Sequence, residues 1–418
     1  MSIKCGFSKV DITPKIGTFL SGYSHQRYST NIHDKLFARI IYFKNGSKHF
    51  TLIQTDLIAV DKYLVQKINN LSKITNFIYA IHTHSGPGGF FDKRSELLNT
   101  AQNIFGENNQ ELIAFLISQI CIGIEEAKVN LAEVEIRAYQ SELFGVGSNR
   151  QEKSGYFNPE LLILELKQKT GKRALIYNFA CHPTILDQHN LKISADLPGY
   201  VAEKLEQQDI LCLFLNGAAG DISTRFTRNE SSFEELARLG NLLSNKLITA
   251  TKKDHQYQKL SVLDFVQRPI KLQVREIPAI HEAEQDLTEK LTKLNNNNLT
   301  RVIQSEVEGA EVNLLYAKHF PNKTEIDSVL CGFVLNNHYV IGIPGELFNA
   351  LGDDIKKSFP NKKILIGTYF QDYIGYIVPI KEYEYGSYES LSTVLAKGSG
   401  EYIVSEAIKL ISELEEEK

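Results

Sequence analysis

A mixed α/β or α+β fold, with a mixed sheet flanked by helices, follows from two features of this 418-residue chain. Short apolar runs rich in β-branched and aromatic residues recur along it, and segments with helical spacing of their apolar positions are interspersed among them. The strand-like runs are residues 38–43, 50–54, 77–81, 134–138, 161–166, 174–179, 210–215, 329–335, 339–343 and 364–368. Helical spacing marks residues 112–127, 233–250, 283–294, 302–319, 348–357 and 402–414. The tract Asn295-Asn296-Asn297-Asn298 interrupts the helical region and reads as a turn between two antiparallel helices. The acidic end, residues 413–418, reads as a solvated helix terminus. There is enough chain for one large unit with a sizeable core, and a single domain over residues 1–418 is expected.

Composition narrows the function classes. A formal net charge of -4 leaves no basic footprint for nucleic acid. The first residues lack the apolar stretch of a secretory signal and no later apolar run has membrane-spanning length, so no transmembrane segment and a cytoplasmic location are the expectation. The five cysteines, Cys5, Cys121, Cys181, Cys212 and Cys331, are widely spaced, mostly in apolar surroundings and without a CxxC pair. They read as buried free thiols, and their spacing argues against a thiolate zinc knuckle.

Chemistry is expected where strand-like runs end in polar or glycine-rich residues. This happens at His82-Thr83-His84-Ser85-Gly86-Pro87-Gly88-Gly89, at Cys181-His182-Pro183-Thr184, at Gly217-Ala218-Ala219-Gly220-Asp221-Ile222-Ser223 and at Pro344-Gly345-Glu346. Side chains from several strand ends converge beyond the carboxyl edge of a sheet that contains parallel strands, so the four segments are expected to meet there. On an extended segment His82 and His84 would point to opposite faces unless a turn begins between them, which suits one metal ligand and one substrate contact. Each element also has a plain structural reading. The histidines could be buried and satisfied by backbone, Glu346 could complement a helix dipole, and the glycine-rich loop could be a tight turn in which Asp221 orients its neighbours and exposes Ser223. The tyrosines Tyr369, Tyr373, Tyr376, Tyr383, Tyr385 and Tyr388 fit either packing or the lining of a cleft.

In order along the chain, these segments resemble the neutral/alkaline non-lysosomal ceramidase family. The resemblance opens with Val10-Asp11-Ile12-Thr13-Pro14, Ser21-Gly22-Tyr23 and Ile32-His33-Asp34-Lys35-Leu36-Phe37-Ala38-Arg39. It continues through HTHSGPGG, Ser148-Asn149-Arg150 with Tyr156 and Asn158-Pro159, ACHPT, GAAGDIS and PGE. It closes on Tyr373-Ile374-Gly375-Tyr376 with Glu382-Tyr383 and Tyr388-Glu389. The resemblance implies one zinc ion per chain, held by His82, His182, Glu346 and Tyr376, with Tyr376 preferred to Tyr373 by its register to Tyr383 and Tyr388. It implies Ser223 as nucleophile, His84 and Arg150 at the scissile amide or its oxyanion, Asp221 beside them, and Tyr383 and Tyr388 facing the substrate.

The chain departs from the family pattern at Thr224-Arg225-Phe226, where proline usually follows the serine. The expected unit is the catalytic domain without the immunoglobulin-like domain of secreted members. The function implied is zinc-dependent hydrolysis of an N-acyl amide, either ceramide-like or a smaller soluble amide. Attack comes from Ser223 or from water activated by the ion. Ester or lactone hydrolysis at the same site, and a metal-binding homologue without turnover, are the alternatives. With no tryptophan in the chain and no amphipathic anchor visible, short-chain substrates are expected to be preferred over long-chain ceramide. The partner expected is the substrate alone; sequence gives no oligomeric state.

Overall fold

In the computed structural model, residues 2–253, 256–296, 301–320 and 322–416 are described. Twelve long strands carry the architecture: β1 (Lys4–Asp11), β2 (Phe37–Asn45), β3 (Lys48–Thr55), β4 (Thr75–Ala80), β5 (Ala132–Glu142), β6 (Glu160–Gln168), β7 (Arg173–Phe179), β8 (Ile210–Asn216), β9 (Leu263–Gln273), β10 (Glu325–Leu335), β11 (His338–Gly342) and β12 (Lys363–Gly367). The first eight form one sheet in the order β8-β7-β6-β5-β1-β2-β3-β4, with the short strand Gln258–Lys259 added on β5. The last four form a second sheet, β9-β10-β11-β12. Both sheets are mixed: β3–β4, β7–β8 and β11–β12 are parallel, and the remaining pairs among these long strands are antiparallel.

The expected mixed sheet flanked by helices is present, but doubled. Alternation along each strand explains the doubling, because successive side chains leave on opposite faces. Ile41 and Phe43 on β2, with Phe77 and Tyr79 on β4, pack into one core with Phe333 and Leu335 of β10, Val340 of β11 and Leu365 of β12. Their neighbours Ile40, Tyr42, Ile78 and Ala80 turn to the opposite face, onto the helices Lys62–Ser72, Gln110–Val129, Asp196–Glu206 and Phe233–Thr251. Val334, Ile341, Ile364 and Ile366 leave the far side of the second sheet and meet the helices Asn349–Lys357 and Ser399–Glu416. The result is four layers, helix, sheet, sheet and helix. Strands buried on both faces read as continuous apolar runs, as the sequence shows.

Each strand-like run falls on one of these strands, with residues 81, 343 and 368 lying one position past the strand ends. The strands missed are β1 and β9: polar residues interrupt the first, and the second carries Pro269. Five cysteines are free, Cys121 half-buried and the others buried. Between β9 and β10, whose ends pair at Gln273 and Glu325, the chain runs out into the helices Ile280–Asn296 and Arg301–His319, which pack on each other. Of the asparagine tract, Asn297 and Asn298 lie outside the described residues, as do Glu417 and Lys418 of the acidic end. Helix Arg301–His319 also packs on the short helix Tyr388–Ser392. No helix among the described residues is long and apolar enough to cross a membrane.

Candidate metal centre and catalytic site

The four strand-end segments converge as expected, and the backbone accounts for it. His82 follows β4 and takes a left-handed conformation at φ 73°. The turn therefore starts at His82 itself, and both imidazoles swing into one cleft, their ring centroids 4.8 Å apart. Thr83 between them is anchored by its hydroxyl to the Ser194 carbonyl, and Arg27 donates to the His84 carbonyl at 2.8 Å. Gly22 leaves room for the His84 ring, since a Cβ there would lie 2.5 Å from Nδ1.

His182 follows β7 and is joined by a bridge to Ser223, which lies beyond β8. Glu346 follows β11, and its backbone pairs in parallel with Tyr376. The large sheet thus delivers the imidazoles of His82 and His182, and the small sheet delivers the Glu346 carboxylate.

Hydrogen bonds fix which ring nitrogens are bare. His82 Nδ1 donates to the Ile58 carbonyl at 2.7 Å, and His182 Nδ1 donates to the Ala219 carbonyl at 2.6 Å. In a neutral imidazole the other nitrogen then carries a lone pair. Burial pulls the His82 pKa down to about 4 against the opposing pull of the Glu346 charge, so this ring is neutral at pH 7. His182 Nε2 lies 2.8 Å from Glu346 Oε2, His82 Nε2 lies 3.6 Å from the same oxygen, and His84 Nε2 lies 3.2 Å from His82 Nε2.

Burial works against the charge of Glu346, but His82, His182 and Arg150 outweigh it and hold its carboxyl below the usual range. At pH 7 the bare Nε2 of neutral His82 is thus an acceptor set against a buried anion. A proton shared by His182 and Glu346 would relieve only one of the contacts around that anion, whereas a divalent cation would relieve all of them. His82, His84 and His182 have ligand atoms within 4.8 Å of one another, and the set of nitrogen and oxygen donors fits zinc.

The remaining expected residues fall into two groups. Arg150 sits against the centre: one guanidinium nitrogen donates to the Tyr376 hydroxyl at 2.9 Å, another lies 3.3 Å from His182 Nε2, and Nε donates to Glu389 at 2.7 Å. Ser223 Oγ accepts from the Arg225 amide at 3.1 Å. Tyr388 lies edge-on to Tyr376 with centroids 5.9 Å apart. Asp221 is one step back. Its carboxylate accepts from the Asn349 amide and the Asn149 side chain, its carbonyl accepts from the Arg150 amide, and burial pushes its pKa up to about 7. Tyr383 is directed elsewhere, its hydroxyl donating to the carbonyls of Leu395 and Ala396.

Three contributors make contacts that the sequence reading did not assign to them. Tyr373 donates to Glu346 Oε1 at 2.5 Å, Tyr369 stacks on His82 with centroids 4.1 Å apart, and Glu389 holds both Arg150 and Gln151. Tyr373 and Glu389 lie inside the motifs quoted above, but nothing in their spacing says what they touch.

Two stacked mixed sheets thus gather histidines and a carboxylate at their strand ends, an arrangement that could hold a metal ion. The family model for the N-terminal part of neutral/alkaline non-lysosomal ceramidases matches residues 3–224, more than half of the chain, and the chain belongs to that family. A neutral ceramidase of Mycobacterium tuberculosis is 25% identical over 239 residues, which is 48% of this chain but only 37% of that protein. The crystal structure of neutral ceramidase from Pseudomonas aeruginosa superposes with a TM-score of 0.79 at 18% identity, covering 100% of this chain and 75% of that one. A ceramidase complexed with C2 gives 0.77 at 17% identity, covering 100% and 76%. At these identities the likeness to the solved structures is one of fold.

Proposed function

We propose that this chain is a zinc-dependent amidohydrolase that cleaves the N-acyl bond of a ceramide-like amide or a smaller soluble one. One zinc ion would be held by His82, His182, Glu346 and Tyr376. The observation that carries the reading is the convergence of two imidazole Nε2 atoms on a single buried carboxylate oxygen, at 2.8 Å for His182 and 3.6 Å for His82. Tyr376 is favoured over Tyr373 as the phenol ligand because it accepts from Arg150, whereas Tyr373 spends its proton on Glu346. Bound zinc would supply Lewis acidity, polarising an acyl carbonyl and acidifying a neighbouring hydroxyl or water.

The chain's own residues supply the rest. Ser223 Oγ attacks the acyl carbon, the C–N bond breaks, the amine leaves with a proton, and water then releases the acid from the serine ester. His84 and Arg150 face the developing oxyanion, Tyr388 lines the substrate side, and Asp221 holds the Arg150 backbone. We further propose one catalytic unit over residues 1–418, a reading supported by the division of the site between the two sheets.

Elemental analysis of chelator-free protein, with rates on N-acyl sphingosines and simpler acyl amides of graded length, tests this reading. About one zinc per chain and turnover that favours short acyl chains are expected. Ser223→Ala should keep the zinc and lose at least about 10^3-fold in kcat. Absence of zinc, or of amide cleavage across the whole series, overturns it, and wild-type rates in the serine variant would transfer the attack to water.

A further inference from the structure

Glu346 uses its two carboxylate oxygens differently. Oε2 faces His182 and His82, while Oε1 receives the Tyr373 hydroxyl at 2.5 Å in a buried setting. The backbone leaves this pair little freedom. The Glu346 amide donates to the Gly375 carbonyl at 2.9 Å and the Ile374 amide donates to the Pro344 carbonyl at 2.8 Å, so the segments carrying the two side chains are laced together on either side of the contact. Gly345 has no space for a side chain, since a Cβ there would lie 2.5 Å from the Gly375 carbonyl oxygen.

Upstream, Tyr369 and Gln371 both take left-handed φ of 62°, an uncommon conformation for residues with a Cβ, and Gln371 is fixed by accepting from the Ile78 amide at 2.9 Å. The Tyr373 ring is held against Phe105, edge-on at 5.8 Å, and parallel to Tyr369 at 6.4 Å. A turn in a sparsely populated conformation is thus spent on delivering one hydroxyl to one oxygen.

We propose that Tyr373 is a positioning residue for the metal centre: by occupying Glu346 Oε1 it makes the carboxylate a one-oxygen ligand through Oε2. The proposal rests on the metal reading above and goes beyond it, because it sets the coordination number. A carboxylate free at both oxygens can take two positions on the ion, and the one withheld here is left for substrate or water. Partners that orient a ligand in this way are typically worth about 10- to 100-fold in metal affinity.

The test uses the full chain loaded with zinc or with cobalt(II). Tyr373→Phe keeps the ring and removes only the hydroxyl. It is expected to weaken zinc about 10- to 100-fold in chelator competition and to reduce the intensity of the visible cobalt bands, as an added ligand oxygen raises the coordination number. An unchanged affinity together with an unchanged cobalt spectrum overturns the proposal while leaving the metal site standing. Failure of the wild type itself to bind either ion overturns the metal reading and this proposal with it. The wild type alone gives a second reading if the variant does not fold. Zinc binding should widen the separation of the symmetric and antisymmetric carboxylate stretches in a difference infrared spectrum, as one-oxygen ligation requires, and a narrowed separation overturns the assignment.

Discussion

The two sides of the centre are held by different means. On the imidazole side, His82 and His182 are fixed by main-chain carbonyls, Ile58 for one and Ala219 for the other. On the opposite side, side chains hold side chains: Tyr373 holds Glu346, and Tyr376 and Glu389 hold Arg150. Main-chain acceptors persist through substitution of the residues that provide them, so the first side depends only on the fold. The second depends on the identity of each member, and a loss at one member passes to the next.

The largest effect should come from removing a member of the first side. His182→Ala deletes the nitrogen nearest Glu346 and leaves Oε2 of that buried carboxylate without its nearest neighbour. Zinc content measured after dialysis is expected to fall to background and amide cleavage with it, whereas Ile58→Val, which leaves the carbonyl in place, should retain both. Equal losses in the two variants would erase the contrast between the sides.

Next comes Glu389→Ala, which strips the Nε contact from Arg150 at a position only 2% exposed. Breaking a buried pair in this way costs about 3–5 kcal/mol of stability, to be read from denaturant unfolding. The loss should reach catalysis, lowering kcat more than zinc content, because Arg150 also contacts Tyr376 and faces His182. A variant that is as stable and active as the wild type would mean that the side-chain network is not cooperative.

The smallest expected effect is a pH dependence at Asp221, which supports the network from behind. Its folded pKa is raised from 3.8 to about 7, chiefly by burial, so the folded state binds more protons than the unfolded state between those values. Stability contributed by this group is therefore present at low pH and lost as pH rises through about 7. Asp221→Asn should flatten that part of the stability curve, by up to a few kcal/mol across the window. A curve with the same slope in both proteins would show that Asp221 is ionised throughout.

Much of the fold was legible in the sequence, for a physical reason that also limits the reading. Strands such as β3 and β8 are buried on both faces, and their unbroken apolar runs mark them plainly. A doubly buried strand looks the same whether its second face meets helices or another sheet, so the stacking of the two sheets was not visible. β9 was hidden by Pro269, and the helix Lys62–Ser72 by its polar composition, despite the Asp61 side chain that caps it.

At the site, the residues at strand ends were found because glycine-rich turns advertise them. The direction of the histidines was not, since alternation predicts opposite faces and only the left-handed backbone at His82 reverses that. Tyr373 and Glu389 act through contacts to residues far from them in sequence, 27 and 239 positions away, which no local pattern records.

The excursion between β9 and β10 has a further consequence. Gln273 and Glu325 are already paired across the sheet, so the chain departs and returns at one place, and the helices between them close a loop whose ends cost nothing more to bring together. Entropically this hairpin is a surface loop, free to vary in length without disturbing the register of the strands that launch it. Mechanically it is a wall: Gly309 lies against Leu391, and Tyr316 donates to the Ser392 carbonyl at 3.0 Å, in the same short helix that carries Tyr388 and Glu389. A part that the scaffold can remodel cheaply therefore leans on the residues that steady Arg150, which gives the fold a way to retune its chemistry without touching a strand.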